Sequence, residues 1–177
     1  MNNTKLLVVT GAESSGKTTL ATQLCKTLEV PLVTETARQY LSQKISANNA
    51  FKYQQHDLLE IAHQQHHQEE TLLSSNPKLL VCDTDLLVIM IWSEIKYGNC
   101  DAWIRNTFEE VITNGKPRHY LLCDWNIPWQ ADVLRENAHN RQFLFEKYIN
   151  KIEQYQLPYS LLKGSPKERL QHVLSLI

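Results

Sequence analysis

A short segment near the start of the chain has the residue types and spacing that hold phosphate groups. Residues 11–18 read Gly-Ala-Glu-Ser-Ser-Gly-Lys-Thr and match the pattern G-x-x-x-x-G-K-[ST] at every fixed position. Glycines let the backbone curl so that successive N–H groups point at phosphate oxygens, and the N-terminus of the following helix faces the same anion. We therefore predict a phosphate-binding loop (P-loop) for ATP, in preference to a chance match in a turn. The predicted ATP contacts in this segment are Gly11, Glu13, Ser14, Ser15, Gly16, Lys17, Thr18 and Thr19.

Two residues of the loop have predicted tasks that call for a partner elsewhere. Lys17 would act in catalysis by reaching the β- and γ-phosphates, and the Thr18 hydroxyl would coordinate Mg²⁺. Such a metal also needs a carboxylate at the end of a neighbouring buried strand, and Asp83 follows the apolar run of residues 79–82. We predict Asp83 as a metal ligand and catalytic residue. Asp85 would face the same side and orient the hydroxyls of the acceptor, or else only cap the next helix.

A second predicted strand, at residues 31–34, ends at a carboxylate followed by a cation. Glu35 would emerge beside the P-loop, and Arg38 lies one helical turn further on. Ligands bind at the carboxyl ends of the strands in open α/β sheets. Glu35 is therefore a catalytic candidate that binds an acceptor hydroxyl or takes its proton as general base. The alternative is a plain salt bridge between the two residues on a helix surface.

Residues 124–141 form a candidate lid. Two tryptophans, Trp125 and Trp129, lie in an otherwise polar segment that also carries Arg135 and Arg141. Arginines on a closing loop stabilise charge on a transferring phosphoryl group. We predict a catalytic role for both arginines and an ATP contact for Arg135. The alternative is that the tryptophans fill the core beside a solvated cluster of charges.

These residues need a scaffold that brings strand ends together, and the pattern of the chain predicts one. Apolar runs typical of strands alternate with helical patterns, which indicates an α/β fold with a parallel sheet. We predict strands at residues 5–10, 31–34, 79–83, 119–123 and 159–162. The last helix is predicted to begin after Ser165, with Pro166 at its first position and Glu168 completing a capping box.

Composition restricts the class of protein. The chain has 177 residues, a net charge of −1 and 42% hydrophobic residues, which is ordinary for one globular domain and argues against binding nucleic acid by phosphate neutralisation. The longest apolar run, residues 86–92, is too short to span a membrane. No signal peptide is evident, and the four cysteines show no paired spacing. We expect a cytoplasmic protein with reduced thiols, with residues 1–177 as one domain, that acts on small molecules and on neither nucleic acid nor membranes.

Several segments together resemble the ribosylnicotinamide kinase domain of the NadR-like NAD-biosynthesis regulators. The resemblance covers nearly the whole chain in order, and it departs from the family pattern at Asn126, where Asp is usual, and at Val133, where Gly is common. The matching residues are 10–20, 35–40 (Glu-Thr-Ala-Arg-Gln-Tyr), 82–85 (Cys-Asp-Thr-Asp), Pro128-Trp129 with Asp132 and Arg135, and also Asp57, Ile61-Ala62, Gln65, Trp92, Tyr97-Gly98, Gly164 and Arg169.

The resemblance implies a three-layer P-loop fold of the nucleoside- and nucleotide-kinase type with a five-stranded sheet. It also implies ATP-dependent phosphorylation of the 5′-hydroxyl of nicotinamide riboside, which gives nicotinamide mononucleotide, and it places the turn at residues 164–166 near the adenine. Because the P-loop strand begins at Lys5, we expect the kinase domain without the nucleotidyltransferase domain of bifunctional members. The predicted substrate contacts are Glu35, Arg38, Tyr40, Asp85, Trp92, Trp129 and Asp132.

The P-loop binds phosphates only, so it does not determine which acceptor is phosphorylated. A kinase for another nucleoside or small metabolite would need the same loop. A nucleotide-binding regulator, in which ATP occupancy switches a partner contact without useful turnover, would need it as well. The carboxylates predicted at the strand ends favour a kinase over a switch.

Overall fold

A parallel sheet forms the centre of the computed structural model, which describes residues 4–48, 50–128 and 140–177. The strands are β1 Lys5–Thr10, β2 Leu32–Val33, β3 Leu79–Asp83, β4 Arg118–Cys123 and β5 Tyr159–Leu162. They lie in the order β2-β3-β1-β4-β5 and pair in parallel throughout. The helices of the described residues are α1 Lys17–Leu28, α2 Thr36–Ala47, α3 Gln55–Leu73, α4 Leu86–Tyr97, α5 Ala102–Thr113, α6 Arg141–Gln154 and α7 Pro166–Leu174.

The central strand β1 is covered by helices on both faces, which explains why its residues are apolar in succession rather than in alternation. Leu6 and Val8 pack into a core that α2 to α6 complete, whereas Leu7 and Val9 pack against α1 and α7. Because side chains alternate between the two faces of a strand, one strand supplies both cores. The result is a sheet between two layers of helices.

The fold class predicted from the sequence is confirmed. All the predicted strands are present, although β2 is shorter than expected and contains only Leu32 and Val33. Helix α7 begins as predicted, with Ser165 as N-cap, Pro166 at the first position and a reciprocal capping box to Glu168. Among the described residues, no helix combines the length and the apolar character needed to cross a membrane.

A buried cluster of charges joins α3, the start of α4 and β4. One carboxylate oxygen of Asp85 caps α4 by accepting from the Leu87 N–H at 3.0 Å. The other accepts from the Arg118 guanidinium at 3.2 Å and from the Tyr120 hydroxyl at 2.6 Å. Arg118 also donates to Glu69 at 2.9 Å. Burial raises the pKa of both carboxyl groups, and the neighbouring guanidinium opposes the rise.

This cluster corrects the predicted contact between Asp85 and an acceptor. The residue is 1% exposed, and the cap and the ion pair engage both of its oxygens. The helix cap, which was the alternative, is the role that the structure shows. The physical reason is an arginine 33 residues further along the chain, whose approach to Asp85 no local pattern reveals.

Replacing Arg118 by Met should lower the free energy of unfolding by about 3–5 kcal/mol, because it leaves two buried carboxylates without their cation. The loss should be larger at pH 8 than at pH 5. Without the guanidinium the folded-state pKa of Glu69 and Asp85 rises further above the unfolded value, and stability from such groups is lost as the pH rises. Urea unfolding at both pH values measures the effect. The exposed Lys116 offers the control Lys116→Met, and equal losses in the two variants would contradict the assignment.

Candidate phosphate-binding and acceptor site

The loop between β1 and α1 has backbone conformations that explain its glycines. Gly11 has a φ of +135°, and a Cβ at this position would lie 2.8 Å from the carbonyl oxygen of Cys123. Gly16 is the N-cap of α1 and has a φ of +84°. Between them, Ser14 also adopts a positive φ of +56°, which costs free energy in a residue with a side chain. A loop held in these conformations needs support from the rest of the fold.

Part of this support comes from Arg141, the first residue of α6. Its guanidinium donates to the carbonyl oxygen of Ser14 at 3.1 Å and to that of Ile127 at 2.8 Å. The residue is 7% exposed. The structure therefore shows Arg141 supporting two backbone carbonyls, and its catalytic role stays a prediction. Four further residues of the predicted lid, one of them a departure from the family pattern, lie outside the described residues: Trp129, Asp132, Val133 and Arg135.

The second support is Arg169 on α7, which matches the NadR-like resemblance but was not predicted as a site residue. It donates to the carbonyl oxygen of Ser15 at 2.5 Å. It also donates to the carbonyls of Asp124 at 3.1 Å and Gly164 at 3.0 Å. Because the C=O and N–H groups of a trans peptide point in opposite directions, a loop whose carbonyls are held from outside turns its following N–H groups the other way.

A cavity of about 620 Å³ opens at the P-loop, within the range of small-molecule sites. The turn at residues 164–166 and Pro128 line it beside the loop. The ammonium group of Lys17 is held at the loop, where it donates to the Ala12 carbonyl at 2.9 Å. All the predicted ATP contacts except Arg135 share this surface, namely Gly11, Glu13, Ser14, Ser15, Gly16, Lys17, Thr18 and Thr19.

Asp83 and Thr18 lie close together because β3, which ends at Asp83, is the neighbour of β1, which leads through the P-loop into α1. Asp83 ends β3 in register with Val9 of β1, and Thr18 donates a hydrogen bond to it. Asp83 is 2% exposed, and its Oδ1 has no hydrogen-bond partner among the described residues. Burial, and then the charge of Glu35, raises the pKa of Asp83 to about 6. An orphaned carboxylate oxygen beside a threonine hydroxyl is a donor set that suits Mg²⁺.

The other side of the cavity carries the predicted acceptor residues. Glu35 is the N-cap residue of α2, and Arg38 lies 3.9 Å from its carboxylate. Both line the cavity, as does Trp92 on α4. The indole N–H of Trp92 donates to the Tyr53 hydroxyl at 2.7 Å, which fixes the plane of the ring. The remaining wall is apolar and includes Ala37, Leu41, Val88, Ile89, Ile91 and Ile95.

Tyr40 does not belong to this group. Its hydroxyl donates to the buried Asp57 at 2.8 Å, and burial together with this carboxylate raises the pKa of Tyr40 to about 12. The side chain lines a separate groove between α2 and α3 rather than the cavity at the P-loop. The structure thus corrects the predicted substrate contact to a contact between helices.

The cavity is also lined by residues for which no role was predicted from the sequence. Gln65 on α3 is 2% exposed and lines it. Tyr148 on α6 lines it as well, and burial raises the pKa of its hydroxyl. Gln65 is one of the residues that match the NadR-like resemblance and Tyr148 is not, and the packing of α3 and α6 is what shows that both line the cavity.

Comparison with known families decides where this chain belongs. A family model described as an AAA domain matches residues 6–169. The chain belongs to this family. No curated protein matches the sequence of this AAA domain.

Among solved structures, the AAA domain has a fold similar to that of several kinases. A crystal structure of NadR protein in complex with NR matches with a TM-score of 0.73 and 19% identity, over 98% of this chain and 48% of that one. The chain thus spans about half the length of that NadR chain. A deoxyadenosine kinase from M. mycoides matches with a TM-score of 0.67 and 15% identity, over 97% of both chains. A thymidylate kinase from Ehrlichia chaffeensis matches with a TM-score of 0.66 and 13% identity, over 99% and 100%.

At these identities the likeness establishes the fold, which is that of P-loop nucleoside and nucleotide kinases. The resemblance to NadR-like proteins expected from the sequence is confirmed at this level. The position of the P-loop at the carboxyl edge of the sheet agrees with the rule that open α/β sheets bind ligands there.

Replacing Asp83 by Asn should stabilise the AAA domain at pH 8 when a chelator removes divalent cations. The folded-state pKa of about 6 lies above the ordinary value of 3.8. The ionised carboxylate therefore costs stability above pH 6, by up to roughly 2–3 kcal/mol. Below about pH 4 the carboxyl is protonated in both states, and the gain should vanish. Urea unfolding measures it, with the exposed Glu29→Gln as a control for loss of charge. A variant less stable than the native protein at pH 8 would contradict the prediction.

Proposed function

We propose that the protein is an ATP-dependent kinase that phosphorylates the 5′-hydroxyl of nicotinamide riboside and forms nicotinamide mononucleotide. The observation that carries the proposal is a single cavity lined both by the P-loop with Lys17 and by the pair Glu35 and Arg38. Phosphoryl transfer depends on holding donor and acceptor in line, with charge neutralised around the transferred group. A shared cavity allows both ligands to meet without a large movement of the sheet.

In the proposed reaction the acceptor oxygen forms a bond to the γ-phosphorus, and the bond from that phosphorus to the β–γ bridging oxygen breaks. ADP is the leaving group, and the hydroxyl proton passes to the Glu35 carboxylate or to water. The loop N–H groups and Lys17 bind the phosphates, and Arg38 adds positive charge on the acceptor side. Arg135, Trp129 and Asp132 stay predicted contributors from the segment that follows Pro128.

Mg²⁺ is part of the proposal, with Thr18 and Asp83 as the residues that would hold it directly or through water. The orphaned Oδ1 of Asp83 supports this role, since a buried carboxylate oxygen without a protein partner is costly unless a ligand satisfies it. No group of three or more histidine, cysteine or acidic side chains suited to a metal occurs in the described part of the chain. Magnesium at phosphate-transfer sites is commonly held by one or two carboxylates together with substrate phosphates and water. When bound, it would neutralise charge between the β- and γ-phosphates.

The acceptor proposal is supported by the wall opposite the P-loop. The hydrogen bond from its indole N–H fixes the orientation of the Trp92 ring. Apolar side chains of α4 extend this aromatic surface along the cavity wall. The pyridinium ring of nicotinamide riboside is flat and cationic, and such a ring is attracted to the face of a tryptophan. The likeness to a NadR crystal structure in complex with NR adds support at the level of the fold.

A second candidate function is a kinase for a different nucleoside. The likeness to a deoxyadenosine kinase, which extends over 97% of both chains, favours it, and an apolar wall with one aromatic ring also accommodates other bases. In this case the roles of the P-loop, Asp83 and Glu35 stay the same and only the base differs. A nucleotide-binding switch without turnover would bind ATP and consume none when a riboside is added.

The deciding experiment is a panel of acceptors incubated with Mg-ATP, with product detected by mass. Nicotinamide riboside should give a product heavier by one phosphoryl group, in preference to adenosine, uridine and thymidine. Preference for another nucleoside would replace the proposal by the second candidate. ATP binding by calorimetry without any riboside-dependent product would indicate the switch, and no binding of adenine nucleotides in the presence of magnesium would refute all three.

Lys17→Ala should lower kcat by roughly 10²–10³-fold, because the ammonium group stabilises charge that develops on the transferred phosphoryl group. Steady-state kinetics with saturating acceptor measure this. Lys26→Ala removes an exposed cation from the same helix and should leave kcat within about twofold of the native value. Near-normal turnover of the Lys17 variant would refute the proposed role of the loop.

A further inference from the structure

The side-chain amide of Gln65 connects two stretches of backbone at the edge of the cavity. Its Oε1 accepts from the N–H of Thr36 at 2.9 Å, and its Nε2 donates to the carbonyl of Thr84 at 3.4 Å. A backbone N–H can only donate and a carbonyl can only accept, so these partners determine which end of the amide is oxygen. Gln65 is 2% exposed, so water does not compete for either bond.

These two contacts lie where the pairing of β2 with β3 has ended. The last paired residues are Val33 and Cys82. Beyond this pair β2 passes into the loop that leads to α2, and β3 ends one residue later, at Asp83, before the loop that leads to α4. The amide of Gln65 has the same donor and acceptor as a peptide group, and it bridges the N–H of Thr36 and the carbonyl of Thr84.

Each residue that Gln65 holds is adjacent to a carboxylate of the candidate site, either Glu35, which lines the cavity, or Asp83, which ends β3. Thr36 follows Glu35 and is the first residue of α2, so its N–H has no partner within the helix. Thr84 follows Asp83 and has a φ of +71°, a conformation that β-branched residues rarely adopt. The Thr84 N–H donates to the Val9 carbonyl at 3.0 Å. The strained residue Thr84 is thus held to β1 through its N–H and to α3 through its carbonyl.

We propose that Gln65 is a positioning residue that fixes the spacing between Glu35 and Asp83. The role rests on the proposed function, in which Glu35 meets the acceptor hydroxyl and Asp83 lies on the side of the phosphates. The two hydrogen bonds of the Gln65 amide go to Thr36 and Thr84, which lie in neither the P-loop nor α1. Its loss should therefore disturb the alignment of the two ligands and leave nucleotide binding intact.

The expected loss of rate follows from the two hydrogen bonds that the Gln65 amide makes. Removing it leaves a buried N–H and a buried carbonyl without partners, which is unfavourable for both groups. The two loops then relax by a fraction of an ångström or more, and a misplacement of about 1 Å lowers the rate of an aligned reaction by about 10²-fold.

The test uses Gln65→Met, which keeps the length of the side chain and removes both hydrogen bonds. With Mg-ATP and nicotinamide riboside, kcat should fall by about 10- to 100-fold, while the KM for ATP stays within about twofold. Gln65→Asn, which keeps the amide but is too short to reach both partners, should give an intermediate kcat. Gln64→Met, the same change at the exposed neighbouring position, is the control and should behave as the native protein.

Hydrogen exchange gives a readout that needs no turnover. The Thr36 amide should exchange faster in the ligand-free Gln65→Met protein and at the native rate in Gln64→Met, because Gln65 is its acceptor. Native kcat in Gln65→Met, or a KM for ATP that rises in proportion to the loss of kcat, would overturn the positioning role. If the native protein phosphorylates no riboside of the panel, the proposed function fails and the positioning role fails with it. Faster Thr36 exchange would then still support the bridge itself, and unchanged exchange would overturn the bridge as well.

Discussion

The conformation of the P-loop is the constraint on which the rest of the structure depends. A backbone that turns its N–H groups toward an anion must turn its carbonyls away, and in this protein those carbonyls would be buried without partners unless something donated to them. Arg141 and Arg169 do so, from helices that lie more than a hundred residues away from the loop in sequence. The two guanidinium groups, which bind the outer side of the loop, also add positive potential near a site for phosphates. The second half of the chain thus serves the loop structurally as well as electrostatically.

The sequence was sufficient for features in which cause and effect are close together along the chain. The P-loop, the strands and the capping box of α7 each depend on residues within about a dozen positions, so their patterns predicted them. The proximity of Asp83 to Thr18 was predictable for a related reason, because β3 ends beside β1 in the parallel sheet and the P-loop carries the chain from β1 directly to Thr18.

The sequence was insufficient wherever a distant partner decided the role of a side chain. Asp85 and Asp83 look equivalent in the sequence, yet Arg118 and Tyr120 on β4 draw Asp85 into the core. Tyr40 follows Glu35 and Arg38 in the same segment, but its hydroxyl donates a hydrogen bond to Asp57 of α3. Arg169 lies just after a turn that the resemblance placed near the adenine, and that neighbourhood was the available signal for its role. In each case the information is tertiary, since it depends on which helices pack together.

The order of the strands divides the cavity between two parts of the chain. β2 and β3 lie on one side of β1 and lead into the residues around Glu35 and Trp92, whereas β4 and β5 lie on the other side and lead into the turns around Pro128 and Ser165. In the proposed function, the surface that would select an acceptor is therefore encoded mainly by residues 32–97, and the surface beside the P-loop mainly by residues after 118. Such a layout is modular: descendants of a common ancestor could exchange one small molecule for another by altering the first segment, with the machinery that handles the triphosphate inherited intact.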